Sequence, residues 1–201
     1  MKDLTFNKDK SVLIIVDMQN AFISPEGSLS KMGLDTSRTS NVIKPIIRLK
    51  NVFEENHRPV IYLKHTHRPD GGDAGLIELV FPPIMNLGHC FDDTWDGEII
   101  KELAPSKHDY IIKKHRFSGF YNTNLDDVLR QIGVDNLVVT GIATDVCVES
   151  TIRDAFYRDY NVFVPIEATA SYTEESERGA FANFRFAFAR VLPLDEMIAE
   201  F

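Results

Sequence analysis

Cysteine is scarce in this chain: Cys90 and Cys147 are the two that 201 residues contain, and Trp95 is the one tryptophan. Two thiols cannot make the bridge framework of a small secreted domain, and no C-x-x-C spacing suggests dithiol redox chemistry. Long apolar runs are missing too, since nothing approaches the roughly 20 residues that a membrane-spanning helix needs. The opening residues Met1-Lys2-Asp3-Leu4-Thr5 have no apolar signal-peptide core. The expectation is a cytoplasmic protein without membrane contact. Basic clusters are also lacking. Against 22 lysines and arginines stand 30 aspartates and glutamates, a net charge of −8 that excludes a nucleic-acid surface and favours solubility. No repeat, low-complexity tract or linker interrupts the sequence, which reads as one domain over residues 1–201 with a sizeable core.

What is present is alternation. Residues 12–16, Val-Leu-Ile-Ile-Val, read as a strand buried on both faces. Similar short runs fall at 59–63, 110–112, 137–140 and 161–164, with a last one near Val191-Leu192. Between them, apolar spacing near 3.6 predicts helices over 40–55, with Ser40 as N-cap and Pro45 in the early turns, over 125–132, closed by Gly133, and over 174–187. A further helix starts near Cys147 and should end near Asp159. Such alternation means an α/β fold, an open parallel sheet covered by helices on both faces. Residues 65–107 break the rhythm with Gly71-Gly72, Pro82-Pro83, Gly88 and Gly97. A connection of that length serves as a substrate lid, with Trp95 shaping the pocket, or as an oligomer contact.

Three segments carry chemistry. In Val138-Val139-Thr140-Gly141-Ile142-Ala143-Thr144-Asp145-Val146-Cys147 a strand breaks at Gly141 and a cysteine follows in the first helical turn. A helix N-terminus favours a thiolate over a thiol, and its free N–H groups can hold an oxyanion. A lone cysteine of this kind is otherwise a small core residue. Asp17 comes where the strand 12–16 ends, and Lys114 where the strand from Tyr110 ends. Taken singly, the carboxylate could cap a turn and the lysine could be solvated. In an open parallel sheet, however, active sites collect beyond the carboxyl ends of the strands. Consecutive strand residues face opposite ways, so only one of Lys113 and Lys114 can enter such a site.

These segments resemble the isochorismatase-like cysteine hydrolases, a group that includes nicotinamidases, N-carbamoylsarcosine amidases and ureidoacrylate amidohydrolases. Asp17 falls on the Asp of the group's D-x-Q stretch, Lys114 on the lysine of K-x-x-x-S-[AG]-F, and Cys147 on the cysteine of G-x-A-T-[DN]-x-C-V. The resemblance covers nearly the whole chain from about Lys10, and 116–123, 141–154 and 24–28 are most similar to ureidoacrylate amidohydrolases. It implies about six strands in the order 3-2-1-4-5-6, a cis Ile142–Ala143 peptide, and an amidohydrolase that releases ammonia or an amine through a thioester. Asp17 is then the base, Lys114 the cation, Cys147 the nucleophile, and the backbone of Ala143 and Cys147 the oxyanion hole. A vinyl-ether hydrolase of the isochorismatase type needs no thiol, and a non-catalytic binding module would not need the triad.

Candidates for substrate contact are Phe22, His65, His67, Trp95, Phe117 and Ile142. His65 and His67 lie on one face of an extended segment, as metal ligands could. Nicotinamidases hold a metal through a D-x-H stretch near this point. Here Lys64 and His65 replace its start, so no metal and no cofactor are expected, and nicotinamide is a less fitting substrate. Arg116 either reads a carboxylate or braces the loop. The expected partners are a small amide, carbamoyl or ureido substrate and further copies of the chain, as a dimer or tetramer.

Overall fold

The computed structural model describes residues 4–82 and 84–201. Seven strands form one sheet: β1 (Ser11–Val16), β2 (Val60–His65), β3 (Tyr110–Lys114), β4 (Asn136–Ile142), β5 (Asn161–Pro165), β6 (Thr169–Ala170) and β7 (Arg190–Leu192). Their order is β3-β2-β1-β4-β5-β7, with the two-residue β6 beside the end of β4. Every pairing is parallel. The path has the expected order. Its last position is taken by β7, because the short β6 intervenes in sequence.

Helices α1 (Asn20–Ile23), α2 (Ser28–Lys31), α3 (Ile43–Glu55), α4 (Leu76–Val80), α5 (Leu125–Ile132), α6 (Glu149–Phe156), α7 (Glu174–Asn183) and α8 (Leu194–Ala199) connect and cover the strands. The central strands show why both faces need cover. Along β1, Leu13 and Ile15 join a core with Ile46, Leu49 and Phe53 of α3. Val12, Ile14 and Val16 point the other way, into a core with Leu125 and Leu129 of α5 and Ile152 of α6. The two-residue period of a strand thus divides one apolar run between two cores. Each fully buried Leu, Ile or Val contributes about 1.5–3 kcal/mol relative to exposure.

Three element ends differ from the sequence-based expectation. Ser40 is not an N-cap; its hydroxyl donates back to the Ser37 carbonyl, within a 3₁₀ turn over Thr39–Val42 that leads into α3. Pro45 then lies in the first turn of α3, where no N–H is needed. The helix at Cys147 opens as a wide π turn over Thr144–Val148 before α6, and α7 ends in a second such turn over Phe184–Phe188. The end of α5 agrees: Gly133, at φ 72°, supplies the left-handed residue that closes it.

Of the glycines, Gly141 makes the closest approach to its neighbours. A Cβ there would lie 2.1 Å from the Val16 carbonyl oxygen, and its φ is 104°. Glycine therefore lets β4 pass directly beside the end of β1, next to Asp17 and just before the cysteine turn.

Candidate active site

The functional side chains come from the carboxyl ends of adjacent strands. Asp17 follows β1 with a left-handed φ of 51°, and its N–H donates to the Leu63 carbonyl at 3.0 Å. Lys114 is the last residue of β3, two strands away, or roughly 10 Å. Its stem crosses the end of β2, and Nζ donates to Asp17 Oδ2 at 2.8 Å, to His65 Nδ1 at 3.3 Å and to the Arg116 carbonyl at 3.2 Å. Asp17 and Lys114 are both 0 % exposed. Lys113 points outward to Asp92. Cys147 is buried in the π turn against this pair.

Burial pushes the Asp17 carboxyl above its ordinary range, with Lys114 opposing it. For Lys114, burial works downward, but the facing Asp17 and Cys147 outweigh it and the ammonium is held more firmly than usual. Burial also drives the Cys147 thiol upward; Lys114 counters this and Asp17 adds to it. The sequence pointed to the helix end as favouring a thiolate, and burial acts against that. Burial is the largest of the effects on this thiol. Asp17 Oδ1 is buried and, among the described residues, has no hydrogen-bond partner.

Gln19 fixes this geometry. Its Nε2 donates to the carbonyls of His65, at 2.8 Å, and Gly97, at 2.9 Å, while Oε1 accepts from the His65 N–H at 2.8 Å. It clamps the end of β2 against the turn after β1. The D-x-Q spacing held this signal, yet the sequence alone gave Gln19 no task.

The histidines form a directed chain. An ammonium has no lone pair, so Lys114 must donate to His65 Nδ1, which places the His65 proton on Nε2. That proton is donated to His67 Nε2 at 2.9 Å, and His67 Nδ1–H faces Asp73 Oδ1 at 3.2 Å. His65 is held neutral, first by burial and then by Lys114. The pair does not suit a metal: each inner nitrogen is engaged, and a cation at His65 Nδ1 would meet the Lys114 ammonium. Arg116 braces the loop, donating from Nη1 to the carbonyls of Asp73 and His115.

A cavity of about 120 Å³ opens onto Cys147. Three of the expected contacts line it, namely Phe22, His65 and Phe117. Three do not. Trp95 is 46 % exposed and lines a separate surface groove, because its carbonyl is tied to Asn20 Nδ2. His67 stands behind His65, and Ile142 is packed into the core beneath the turn. The Ile142–Ala143 peptide is cis. The wall includes residues that the sequence did not single out, among them His89, Val146 and Tyr172, with Ile77, Phe81 and Ile84 from the 65–107 connection. That connection covers the cavity. Its α4 could have been noticed as the one apolar run in the segment, but five residues are too few to show a period.

The isochorismatase domain model matches residues 11–196. Ureidoacrylate amidohydrolase RutB of Methylorubrum extorquens is 37 % identical over 94 % of this chain and 81 % of its own length. Among solved structures, a cysteine hydrolase from Pseudomonas syringae pv. phaseolicola superposes with a TM-score of 0.90 at 32 % identity, over 97 % of this chain and 93 % of that one. N-carbamoylsarcosine amidase from Thermoplasma acidophilum gives a TM-score of 0.75 at 34 % identity, covering 92 % and 97 %.

Proposed function

The chain belongs to the isochorismatase family and is a hydrolase of carbon–nitrogen bonds other than peptide bonds, and from that premise we propose that it is a cysteine-dependent amidohydrolase. The substrate is a small amide, carbamoyl or ureido compound, and the acyl group passes through a thioester on Cys147. The observation that carries this reading is the 2.8 Å Lys114–Asp17 ion pair, fully buried, against which the cavity-lining thiol packs. Burying two charges costs several kcal/mol per ion before their attraction offsets it. Such a pair, buried beside a thiol that lines a cavity, has a task.

Asp17, raised by burial, is a better base than a solvated carboxylate. It takes the Cys147 proton as the sulfur attacks the carbonyl carbon. Lys114 stabilises the forming thiolate, and the N–H groups of Ala143 and Cys147 receive the oxyanion. Collapse breaks the C–N bond, and Asp17 returns the proton to the departing nitrogen. Water then attacks the thioester, with Asp17 as base, and restores the thiol.

Ammonia release measured over a panel of primary amides, carbamoyl compounds and ureides tests the reading. Cys147→Ala should retain the fold and lose the activity; more than about a hundredth of the wild-type rate would rule out covalent catalysis. Mass spectrometry of acid-quenched enzyme should show the acylated Cys147 peptide.

We also assign the whole chain, 1–201, to one catalytic domain that assembles as a homodimer or homotetramer. Exposed Leu76, Leu79 and Phe186, at 73, 73 and 86 %, support the assembly, and light scattering tests it. Among the described residues no helix is long and apolar enough to cross a membrane. Two unpaired thiols suit a reducing cytoplasm.

A further inference from the structure

The relatives' names, ureidoacrylate and N-carbamoylsarcosine, denote substrates that carry a carboxylate. Among the described residues, the cavity of this chain offers such a group no charged side chain: none of those that line it is Lys, Arg, Asp or Glu. Its two histidines are neutral: burial and Lys114 hold His65 well below its ordinary range, and burial lowers His89 to about 4 despite Asp96. Tyr172 spends its hydroxyl on the Phe22 carbonyl at 3.3 Å. The nearby cations are engaged elsewhere. Lys114 is shared among Asp17, His65 and Arg116, and the Arg116 guanidinium is turned to the Asp73 and His115 carbonyls. Arg38 donates to Glu177 and to the Ser171 carbonyl.

What remains is apolar: Phe22, Ile77, Phe81, Ile84, Phe117 and Val146 make up much of the wall. A cavity of about 120 Å³ is close to the ~150 Å³ apolar hole that takes one benzene. A carboxylate in this space would lose its hydration with no partner in return. We propose that the substrate is an uncharged primary amide or ureide whose substituent is apolar and about the size of a benzene ring or short branched alkyl group. This rests on the amidohydrolase reading and narrows it. The reacting carbonyl lies at Cys147, the substituent fills the pocket under Ile77 and Phe81, and the carboxylate-bearing ureides of the relatives are poor substrates.

The test compares kcat/KM for benzamide, isovaleramide and phenylurea with that for succinamate and 3-ureidopropionate. Binding of the same compounds to Cys147→Ala is measured by calorimetry. The neutral apolar set should be favoured by at least ~100-fold, in the range that unmatched polar groups impose. Leu34 also lines the cavity, and Leu34→Arg, which places a guanidinium on that wall, should narrow the preference by raising the rates for the carboxylates. If Leu34→Arg does not fold, the wild-type panel decides by itself. Faster cleavage of the carboxylate-bearing compounds would overturn the substrate class and leave the amidohydrolase standing. Binding of benzamide to Cys147→Ala without any amide turnover by the wild type would overturn the hydrolytic reading and keep the apolar site. Neither binding nor turnover across the panel would overturn both.

Discussion

At the scale of single residues, Lys114 decides how two neighbours titrate. It lowers the thiol of Cys147 and the carboxyl of Asp17 against the upward pressure of burial. Lys114→Met removes that counterweight, so both groups should rise, whereas Lys114→Arg keeps the charge in poorer geometry. The thiol pKa, read from alkylation rate against pH, should increase in the order wild type, Arg, Met. An unchanged profile in the Met variant would leave Lys114 as no more than a substrate contact. The acid limb of kcat/KM should move the same way. Asp17 works as the carboxylate, which is lost as pH falls through its pKa, so a higher pKa ends activity at a higher pH. Removing one partner of a buried pair costs about 3–5 kcal/mol, and circular dichroism should accompany each measurement. Asp17→Asn keeps the shape but accepts no proton, and both acylation and amine release should fail in pre-steady-state kinetics. The histidine chain yields a different expectation. Because His65 Nδ1 faces an ammonium, dialysis against a chelator should leave the rate unchanged, and recovery of a lost rate on adding zinc would contradict that arrangement.

At the scale of elements, the junction of β1 and β4 carries most of the site. Gly141→Ala forces a Cβ toward the Val16 carbonyl at 2.1 Å in a left-handed backbone. The φ alone costs more than about 1 kcal/mol, and the clash adds to it. The variant should be both less stable in urea and nearly inactive, because Asp17 and Cys147 lie just beyond this crossing. Wild-type activity in a correctly folded Gly141→Ala would show that the crossing does not set the site. By contrast, α5 serves the core only. Leu129 is fully buried there and does not line the cavity. Leu129→Ala should cost about 2–5 kcal/mol of stability and leave kcat at temperatures well below the melting transition.

At the scale of the whole molecule, the net charge of −8 repels anions at long range, and the repulsion is screened over about 10 Å at 0.1 M salt. The second-order rate for an anionic amide should therefore rise between 0.02 and 0.3 M salt, concentrations on the order of that screening regime. The rate for a neutral apolar amide should stay flat. A salt dependence of the neutral substrate would point to a charge change in the protein itself. The cover from the 65–107 connection belongs to this scale too, since it brings Ile77, Phe81 and Ile84 over a site built on β1, β3 and β4.

The sequence by itself determined the sheet and pointed to the candidate reacting groups. A run such as 12–16 buries on both faces whatever follows it, and strand ends in a parallel sheet deliver Asp17, Lys114 and Cys147 to one edge. The two-residue period of a strand limits the site to one of Lys113 and Lys114, and the K-x-x-x-S-[AG]-F resemblance pointed to Lys114. Other features are sums over distant neighbours and could not be read locally. Trp95 read as a pocket aromatic, yet the bond from its carbonyl to Asn20 places it on another surface. His67 and Gln19 acquired their tasks only when β2 was laid beside β1 and β3. The cysteine turn seemed electropositive along the chain, but burial by the rest of the fold pushes the thiol upward. The charge-free wall was equally hidden. Its residues come from segments with no common period, and Arg116 holds one distant carbonyl, that of Asp73, and one from its neighbour His115.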